Sequence, residues 1–420
     1  MKVLWIVNTI FPEPAKVIGM PEPVFGGWMY GLCEKISSFE EIELGVATTY
    51  LNKVFFDTKI NGIEYFLLPT VNQIKYDKEL ENYWEKVFNI FKPDIIHIHG
   101  TEYPHGLACI NKFSDFKYVI SIQGLVSVYS RYFYAGISNI DLLRNITFHD
   151  LIRFDSLFHR KNQLIKRGRI EKEYLKKSKH VIGRTDWDFS QVMAINNEVN
   201  YHFCNESLRN KFYKASKWII DNQNRQIIFL SQSSTPIKGL HQVIKALVFL
   251  KNEFPLLKIR VGGNDITKNK LIKDKIRITG YGKYLNRLIK KYNLENHIIF
   301  LDTLSEEQMI MEYQNASIFI CPSSIENSPN SLGEAQLIGV PVIASFVGGI
   351  SNMVIDGETG LLYRFEEAEM LTEKIRQVLK DKDLALKLSK NGIIAAKLRH
   401  DRIKNSERTK EIYMKIINQY

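Results

Sequence analysis

Residues 317–345 read SIFICPSSIENSPNSLGEAQLIGVPVIAS. Two apolar runs in this stretch, Ile318 to Cys321 and Val340 to Ala344, predict buried parallel strands. Between them a polar loop, Pro322 to Ser328, leads into an amphipathic helix, Pro329 to Ile338. The stretch therefore predicts a strand–loop–helix–strand unit, with its loop at the carboxyl end of the first strand. Ligands of doubly wound sheets bind at that edge.

The predicted helix carries signals at both ends. Pro329 suits the first helical position because it has no N–H to leave unpaired, and Ser328 before it suits the N-cap. Gly339 fits the position that follows a helix. The backbone N–H groups of Ser328, Asn330 and Ser331 would carry partial positive charge, which suits a phosphate group.

Two carboxylates flank this helix start. Glu326 lies in the loop, and Glu334 lies about one turn into the helix. Ionised carboxylates only accept hydrogen bonds, so they suit the hydroxyl groups of a sugar. An anion-binding helix end between two hydroxyl acceptors is the arrangement that a nucleotide-sugar requires. The plainer interpretation is a solvated Glu pair on a helix surface.

The ordered string of motifs in this part of the chain resembles the donor half of the retaining glycosyltransferase family 4, of GT-B fold. It comprises E-x7-E, GVPVIAS at 339–345, the pair Gly348-Gly349 and DGETG at 356–360. The resemblance implies an α/β chain with two doubly wound, parallel-sheet (Rossmann-like) domains that face each other across a cleft. It also implies sugar transfer with retention, a nucleotide-sugar co-substrate, and neither a metal nor a resident cofactor.

The resemblance assigns roles to residues of this stretch. Glu326 is implied to act in catalysis by holding hydroxyls of the donor sugar, and Glu334 is implied to hold the ribose diol. The remaining donor-binding residues that it implies here are Asn327, Ser328, Pro329, Asn330, Ser331 and Leu332.

The length of 420 residues predicts two domains rather than one core. We expect an N-terminal acceptor-side domain over 1–205, a linker over 206–224 and a C-terminal donor domain over 225–399. In the family, the last helix crosses back onto the first domain, so we expect residues from about 400 to 420 to pack there.

The formal charge of +11 and a pI near 9.2 suggest an anionic partner: a membrane surface, a nucleotide-sugar or nucleic acid. A Lys-rich composition that reflects only the organism is the alternative. We recognise no nucleic-acid-binding module, so nucleic acid is not an expected partner.

No apolar run approaches the ~18 residues of a membrane span, and the N-terminal run is too short for a signal peptide. We therefore expect a cytoplasmic protein, with peripheral contact at the inner membrane face left open. The four cysteines lack C-x-x-C spacing and are expected to be buried thiols.

A glycine pair, Gly26-Gly27, follows the first predicted strand and precedes a predicted helix. Such a pair lets the backbone approach a diphosphate closely, which makes both residues candidates for donor binding. The dinucleotide fingerprint G-x-G-x-x-G is absent, and a plain flexible turn remains the alternative.

Residues 93–100, PDIIHIHG, resemble a strand of the family that ends in a polar tip. His99 is nearest the carboxyl end and is our catalytic candidate, whereas His97 could be a hydrogen-bonded core histidine; for each, both interpretations stay open. Gln123 stands where many family members carry a His near the transferred sugar. A Gln can hydrogen-bond a hydroxyl but cannot take a proton at neutral pH, so we expect no general base there.

The loop after the first strand of the second domain ends in Lys238-Gly239, which the family uses at the donor diphosphate. The family's Arg falls near Gln232 here, so one expected cation is missing. Lys238 is predicted to stabilise the leaving diphosphate with the helix amides, and Arg184 is a candidate replacement. Gly263 ends a further strand, where a nucleobase could pack.

Helical stretches from Leu125 to Lys179 interleave aromatic and basic residues. We expect them to form the acceptor side and to touch the membrane face; an ordinary insert with a solvated basic face is the alternative.

The strings GRTDWD at 183–188 and CNE at 204–206 resemble family members of surface-polysaccharide synthesis. The expected acceptor is a glycan or a lipid-linked glycan, and the expected donor is UDP- or GDP-linked. A sugar-nucleotide epimerase of the same fold and a non-catalytic nucleotide-sugar-binding subunit remain rivals.

Overall fold

The computed structural model describes residues 1–21, 26–220, 226–268 and 277–419. The chain divides into two compact units. Unit 1 comprises Met1–Val128, Ile165–Asn210 and Arg399–Tyr420, and unit 2 comprises Tyr129–Leu164 and Lys211–Leu398.

Parallel strands form the centre of each unit. In chain order the strands of the described residues are β1 Lys2–Ile6, β2 Glu43–Leu51, β3 Phe56–Ile60, β4 Ile63–Thr70, β5 Ile95–His99, β6 Tyr118–Ser121, β7 His180–Gly183, β8 Asn200–Phe203, β9 Ile227–Leu230, β10 Lys258–Val261, β11 Ile298–Phe300, β12 Ile318–Cys321, β13 Val342–Ser345 and β14 Leu361–Tyr363.

Helices connect most of these strands. Those of the described residues are α1 Pro12–Val17, α2 Gly27–Ile36, α3 Leu80–Phe91, α4 His105–Lys112, α5 Val126–Tyr132, α6 Asn139–Arg144, α7 Phe148–Arg153, α8 Leu157–Lys177, α9 Asp186–Met193, α10 Asn210–Lys214, α11 Leu240–Leu250, α12 Gly280–Lys291, α13 Glu306–Asn315, α14 Asn330–Ile338, α15 Ala368–Lys380, α16 Lys382–Arg399 and α17 Arg402–Asn418.

The sheet of unit 1 has the strand order β3-β4-β2-β1-β5-β6-β7-β8. Every neighbouring pair is parallel except β3 and β4, which form an antiparallel hairpin at one edge. The strand order reverses between β1 and β5, so the loops that follow these two strands leave the sheet side by side. Such a reversal is the usual ligand-binding point of an open α/β sheet.

The sheet of unit 2 has the order β11-β10-β9-β12-β13-β14, and all its pairs are parallel. Its order reverses between β9 and β12, which places the loop after β9 beside the loop after β12. The predicted fold class, two doubly wound parallel sheets, is confirmed, with the antiparallel strand β3 as an addition.

The division of the chain differs from the predicted one in the middle. Residues 129–164 were expected in the first domain, yet they cluster with unit 2. Residues 206–210, which we placed in a linker, belong to unit 1. Residues 221–224 of the predicted linker lie outside the described residues. Helix α1, between β1 and the Gly26-Gly27 pair, was not predicted.

The last helix, α17, belongs to unit 1. Its Tyr413 is fully buried, accepts a hydrogen bond from the Trp5 indole at 3.0 Å and lies 2.5 Å from Nδ1 of His97. The other ring nitrogen of His97 lies 2.6 Å from Ser121 Oγ. His97 is therefore the hydrogen-bonded core histidine of the two interpretations, and burial lowers its pKa to about 3.

Residues 129–164 are attached to the rest of unit 2 through buried polar contacts. Nε2 of His241 lies 2.8 Å from the carbonyl oxygen of Ala135, and Nδ1 lies 3.1 Å from the Tyr281 hydroxyl. The Ser324 hydroxyl donates to the carbonyl of Tyr132 at 3.1 Å. Burial lowers the pKa of His241 to about 3, so the imidazole is neutral in the folded protein.

This neutral His241 makes the stability of unit 2 depend on pH. Because its pKa of about 3 lies below the ordinary 6.5, the unfolded chain binds the proton first as the pH falls. The contribution of His241 is complete above pH 6.5 and is lost as the pH falls toward 3, at about 1.4 kcal/mol per pH unit. The free energies of unfolding of the wild type and of His241→Gln, measured with urea, should therefore approach each other by that amount per pH unit below 6.5. Parallel stability–pH curves would contradict the assignment.

Candidate functional site

The reversal of strand order in unit 2 brings two predicted site residues together. Lys238 ends the loop after β9, and Glu326 lies in the loop after β12. Because β9 and β12 are hydrogen-bonded neighbours, both loops leave the same edge of the sheet. The sequence predicts each residue as part of the site, and the sheet topology explains why they meet.

The two side chains form an ion pair. Nζ of Lys238 lies 2.6 Å from Oε1 of Glu326, and the Ser323 hydroxyl donates to the same carboxylate oxygen at 2.7 Å. The side chains are 23% and 9% exposed, so the pair is largely shielded from water. Burial alone would lower the pKa of Lys238, but the attraction and hydrogen bond of Glu326 outweigh it and the pKa is raised. Lys238 is therefore a fixed cation at neutral pH.

The backbones of the two loops are joined directly. The N–H of Ser324 donates to the Ile237 carbonyl at 2.7 Å. Gly239 has φ +72°, and a Cβ on it would lie 1.6 Å from the carbonyl oxygen of Pro322. No other residue type fits there without moving one of the loops, so Gly239 sets the approach that lets Lys238 reach Glu326.

A second glycine fixes the other side of Glu326. Gly348 has φ +52°, and a Cβ on it would lie 1.9 Å from the Glu326 carbonyl oxygen. That oxygen accepts a hydrogen bond from the N–H of Gly349 at 3.0 Å. The pair Gly348-Gly349 therefore holds the backbone of Glu326, which explains its place after the second strand of the motif.

The helix α14 starts beside this ion pair, one residue later than predicted. Pro329 is its N-cap rather than its first residue, and Ser328 precedes the cap. The N–H groups of Asn330 and Ser331 lie in the first turn, where a helix offers no backbone acceptor. Among the described residues, Asn330 Oδ1 is buried without a hydrogen-bond partner. The N–H groups of this first turn suit an anion, whereas the Asn330 oxygen only accepts hydrogen bonds and suits a hydroxyl group.

A small cavity collects several predicted residues. Gln232, Lys238, Glu326 and Ser331 line it together. Other predicted residues of this part of the chain lie next to it along the chain: Asn327, Leu332 and Glu334 are buried, and Ser328 and Pro329 are partly buried. Glu334 therefore is not the solvated helix Glu of the plainer interpretation.

Gly263 follows β10, the strand next to β9. It has φ +92°, and its N–H donates to the Asp302 carbonyl at 2.7 Å. No atom of the described residues lies within 4 Å of the position that a Cβ would take. This open space is compatible with the predicted packing of a base, which stays a prediction.

In unit 1, Gly26 and Gly27 follow β1, and His99 is the last residue of β5, on the other side of the strand-order reversal. Gly26 is the N-cap of α2 with φ +93°, a Cβ there would lie 2.9 Å from Thr9 Cγ2, and Gly27 is the first residue of the helix. His99 is buried, with its ring 4.3 Å from that of Trp5 and 3.8 Å from that of His97.

Of the two histidines of β5, His99 is the one with an unused ring nitrogen. Its Nε2 is buried and has no hydrogen-bond partner among the described residues. Burial first, and then electrostatic interaction with His97 and Arg184, lower its pKa well below the ordinary value. His99 is therefore a neutral imidazole, which can exchange a hydrogen bond with a hydroxyl group but carries no charge at neutral pH.

Gln123 and Arg184 belong to a buried polar cluster of unit 1. The Arg184 guanidinium pairs with the Glu206 carboxylate and donates to the Ile122 carbonyl. Gln123 also hydrogen-bonds Glu206, whose pKa is raised by burial although Arg184 opposes the shift. The guanidinium of Arg184 is thus engaged within unit 1, although its Nε has no hydrogen-bond partner among the described residues. Its role as a replacement phosphate ligand stays a prediction.

The sequence reasoning missed Ser323, which donates to Glu326, and Tyr313, whose hydroxyl donates to the Ser331 carbonyl at 3.0 Å. The position of Ser323 three residues before Glu326 was the only sequence signal for Ser323.

In the described ranges, no group of three or more His, Cys, Asp or Glu side chains is placed to hold a metal ion. Each helix of those same ranges is too short or too polar to span a lipid bilayer. All four cysteines are free and buried.

The architecture is that of the GT-B glycosyltransferases. Sucrose-phosphate synthase from Thermosynechococcus elongatus superposes with a TM-score of 0.73, at 16% identity over 100% of both chains. Anabaena HepE, solved in complex with UDP and glucose, superposes with a TM-score of 0.65, at 16% identity over 98% of this chain and 99% of that chain. At these identities the likeness establishes the fold.

Within this fold, residues 209–394 match the family described as glycosyl transferases group 1. The matched stretch contains Lys238, Glu326 and Glu334.

Curated relatives are glycosyltransferases as well. D-inositol 3-phosphate glycosyltransferase of Corynebacterium urealyticum is 28% identical over 35% of this chain and 33% of its own length. A capsular polysaccharide biosynthesis glycosyltransferase, CapM of Staphylococcus aureus, is 26% identical over 37% of each chain. These matches span about a third of the relatives. An uncharacterized glycosyltransferase of Methanocaldococcus jannaschii is 24% identical over 80% of this chain and 85% of its own length.

The role of Gly239 can be tested against a matched glycine. Gly239→Ala should cost more than the 1–2 kcal/mol or so of a left-handed residue, because the Cβ would also collide with Pro322. Gly357→Ala is the control, since Gly357 has φ +74° and open space around it. We expect Gly239→Ala to lower the free energy of unfolding further than the control and to weaken UDP binding in calorimetry. Equal losses in the two variants would contradict the close approach of the loops.

Proposed function

We propose that this protein is a retaining glycosyltransferase of family 4 that transfers a sugar from a UDP- or GDP-linked donor to a hydroxyl group. The observation that carries the proposal is the Lys238–Glu326 pair, held in front of the first turn of α14. A fixed cation and unpaired backbone amides suit a diphosphate, and the buried carboxylates of Glu326 and Glu334 suit hydroxyl groups.

In this proposal the barrier to reaction is the negative charge that develops on the leaving diphosphate. Lys238 and the N–H groups at the start of α14 stabilise that charge. They are preorganised, because the Ile237–Ser324 hydrogen bond and Gly239 fix the two loops before any ligand binds. The proposal assigns this work to protein groups and requires no metal.

Glu326 has two roles in the proposal. Its Oε1 holds Lys238 in position, and its carboxylate accepts hydrogen bonds from the donor sugar. The bond between the anomeric carbon and the phosphate oxygen breaks, and the acceptor oxygen bonds to that carbon on the same face. The acceptor proton goes to the leaving phosphate. No protein nucleophile is needed, so the two-carboxylate scheme of the hydrolases does not apply.

The finer parts of the proposal rest on likeness to named relatives. HepE holds UDP and glucose in its solved structure, which supports a nucleotide-sugar donor. CapM is named for capsular polysaccharide biosynthesis, which supports a glycan or lipid-linked acceptor in capsule, O-antigen or exopolysaccharide synthesis. An acceptor carried by a lipid also favours a protein that works in the cytoplasm at the membrane surface.

Site variants test the assigned roles. Lys238→Ala and Glu326→Ala should each lower turnover at least about 100-fold, comparable to the loss of one preorganised electrostatic group. Lys380→Ala is the matched control, because Lys380 forms an exposed ion pair with Glu253 elsewhere in unit 2. We expect the control to keep wild-type turnover. Wild-type rates in both site variants would refute the roles.

The reaction class is tested in two steps. Thermal-shift measurements with a panel of UDP- and GDP-sugars identify the donor, because a ligand that binds only the folded state raises the melting temperature. The donor is then incubated with and without a glycan or lipid-linked acceptor. The proposal predicts a product only with acceptor, with the anomeric configuration retained. Conversion of the donor alone would indicate an epimerase, and binding without turnover would indicate a binding subunit.

A further inference from the structure

Two short helices of unit 2, α6 and α7, present their apolar side chains to solvent. The six large apolar residues of this segment that are between 59% and 68% exposed are Ile140, Leu143, Phe148, Leu151, Ile152 and Phe154. A surface helix normally turns this face toward the core. Six such side chains within 15 residues form an exposed apolar patch of the kind that marks an interaction site.

On the inward side α7 buries the polar residue Asp150 and α6 buries Leu142, while the six apolar side chains remain outside. Asp150 is 1% exposed, and its carboxylate accepts hydrogen bonds from the N–H of Thr147 at 3.0 Å and the N–H of Gly280 at 3.3 Å. A Cβ on Gly280 would lie 2.8 Å from that carboxylate. Asp150 thus fastens α7 to the start of α12 with its apolar side chains pointing away.

Further polar contacts hold α6 against α12. Nζ of Lys283 donates to the carbonyls of Arg144 and Ile146 at 3.2 and 3.3 Å, and Arg287 forms an ion pair with Asp141. The apolar residues Ile140, Leu143 and Phe148 take no part in these contacts. The attachment therefore does not depend on burying the apolar face.

A basic cavity opens between residues 144–148 and α12. Among the described residues its lining contains the cationic side chains Arg144, Lys283, Arg287 and Lys290 and no acidic side chain. All four are exposed, and Arg287 forms an ion pair with Asp141. The cavity also includes Phe148 of the apolar patch, so positive charge and apolar surface adjoin.

We propose that this α6–α7 surface, defined by the six apolar residues and the basic cavity beside them, docks the protein on an anionic lipid bilayer. The apolar side chains enter the boundary between headgroups and acyl chains, and the cavity holds lipid phosphates. A second copy of the chain fits less well, because a two-fold interface brings identical surfaces together and the four cations would then face their own copies. The inference does not depend on the transferase chemistry.

Flotation of the full-length protein tests the proposal, in the absence of any sugar donor. Two vesicle types are compared, pure phosphatidylcholine and phosphatidylcholine with about 30% phosphatidylglycerol, an anionic surface of the kind that attracts basic segments. The wild-type protein should float with the anionic vesicles and float less with the neutral ones. Added salt should weaken its binding.

Two variants separate the apolar and the charged contributions. The double variant Phe148→Ser, Phe154→Ser should lose binding about tenfold or more while its melting temperature stays unchanged, because both side chains are exposed. The double variant Arg144→Glu, Lys290→Glu should lose the preference for anionic vesicles. The matched controls are Ile355→Ser, Leu398→Ser and Lys390→Glu, which change exposed residues elsewhere in unit 2. The controls should bind as wild type.

Three outcomes would overturn the proposal. The first is equal absence of wild-type binding to both vesicle types. The second is vesicle binding that neither double variant weakens. The third is a wild-type dimer in sedimentation that the Phe148, Phe154 variant dissociates while vesicle binding is unaffected, which would assign the apolar patch to a second copy of the chain.

Discussion

Lys238 and Glu326 can form a buried ion pair because β9 and β12 are neighbours in a sheet whose strand order reverses between them. The cost of removing these charges from water is offset by their 2.6 Å contact and by the hydroxyl of Ser323. The pair in turn depends on Gly239 and Gly348, because the absence of a Cβ at these positions lets the loop backbones come into contact. A cation and a carboxylate are thereby fixed beside the first turn of α14, and the proposed chemistry uses that arrangement directly.

Much of the donor half could be predicted from the chain. The apolar runs of β12 and β13 are unbroken, and Gly339 ends the helix between them with φ +98°, so the local structure follows from local signals. The reversal of strand order could not be read in the same way, because it depends on which strands pair. The sequence therefore predicts Lys238 and Glu326 as site residues but not their contact.

The failures of prediction have physical causes. β3, FDTKI, is apolar only at its two ends and lies at an edge of the sheet, and β14 has three residues, so neither provides the apolar run that identifies a buried strand. Residues 129–164 join unit 2 through single long-range contacts, such as His241 with Ala135, that no periodicity signals. The two interpretations of His97 and His99 are separated only by their surroundings: His97 has partners on both ring nitrogens, whereas Nε2 of His99 has none among the described residues.

The most direct measurement is a crystal structure of the full-length protein with UDP bound. The account predicts the diphosphate within hydrogen-bonding distance of Nζ of Lys238 and of the amides that open α14, with the ribose hydroxyls at the Glu334 carboxylate. A well-ordered nucleotide bound away from Lys238 and Glu334 would contradict it.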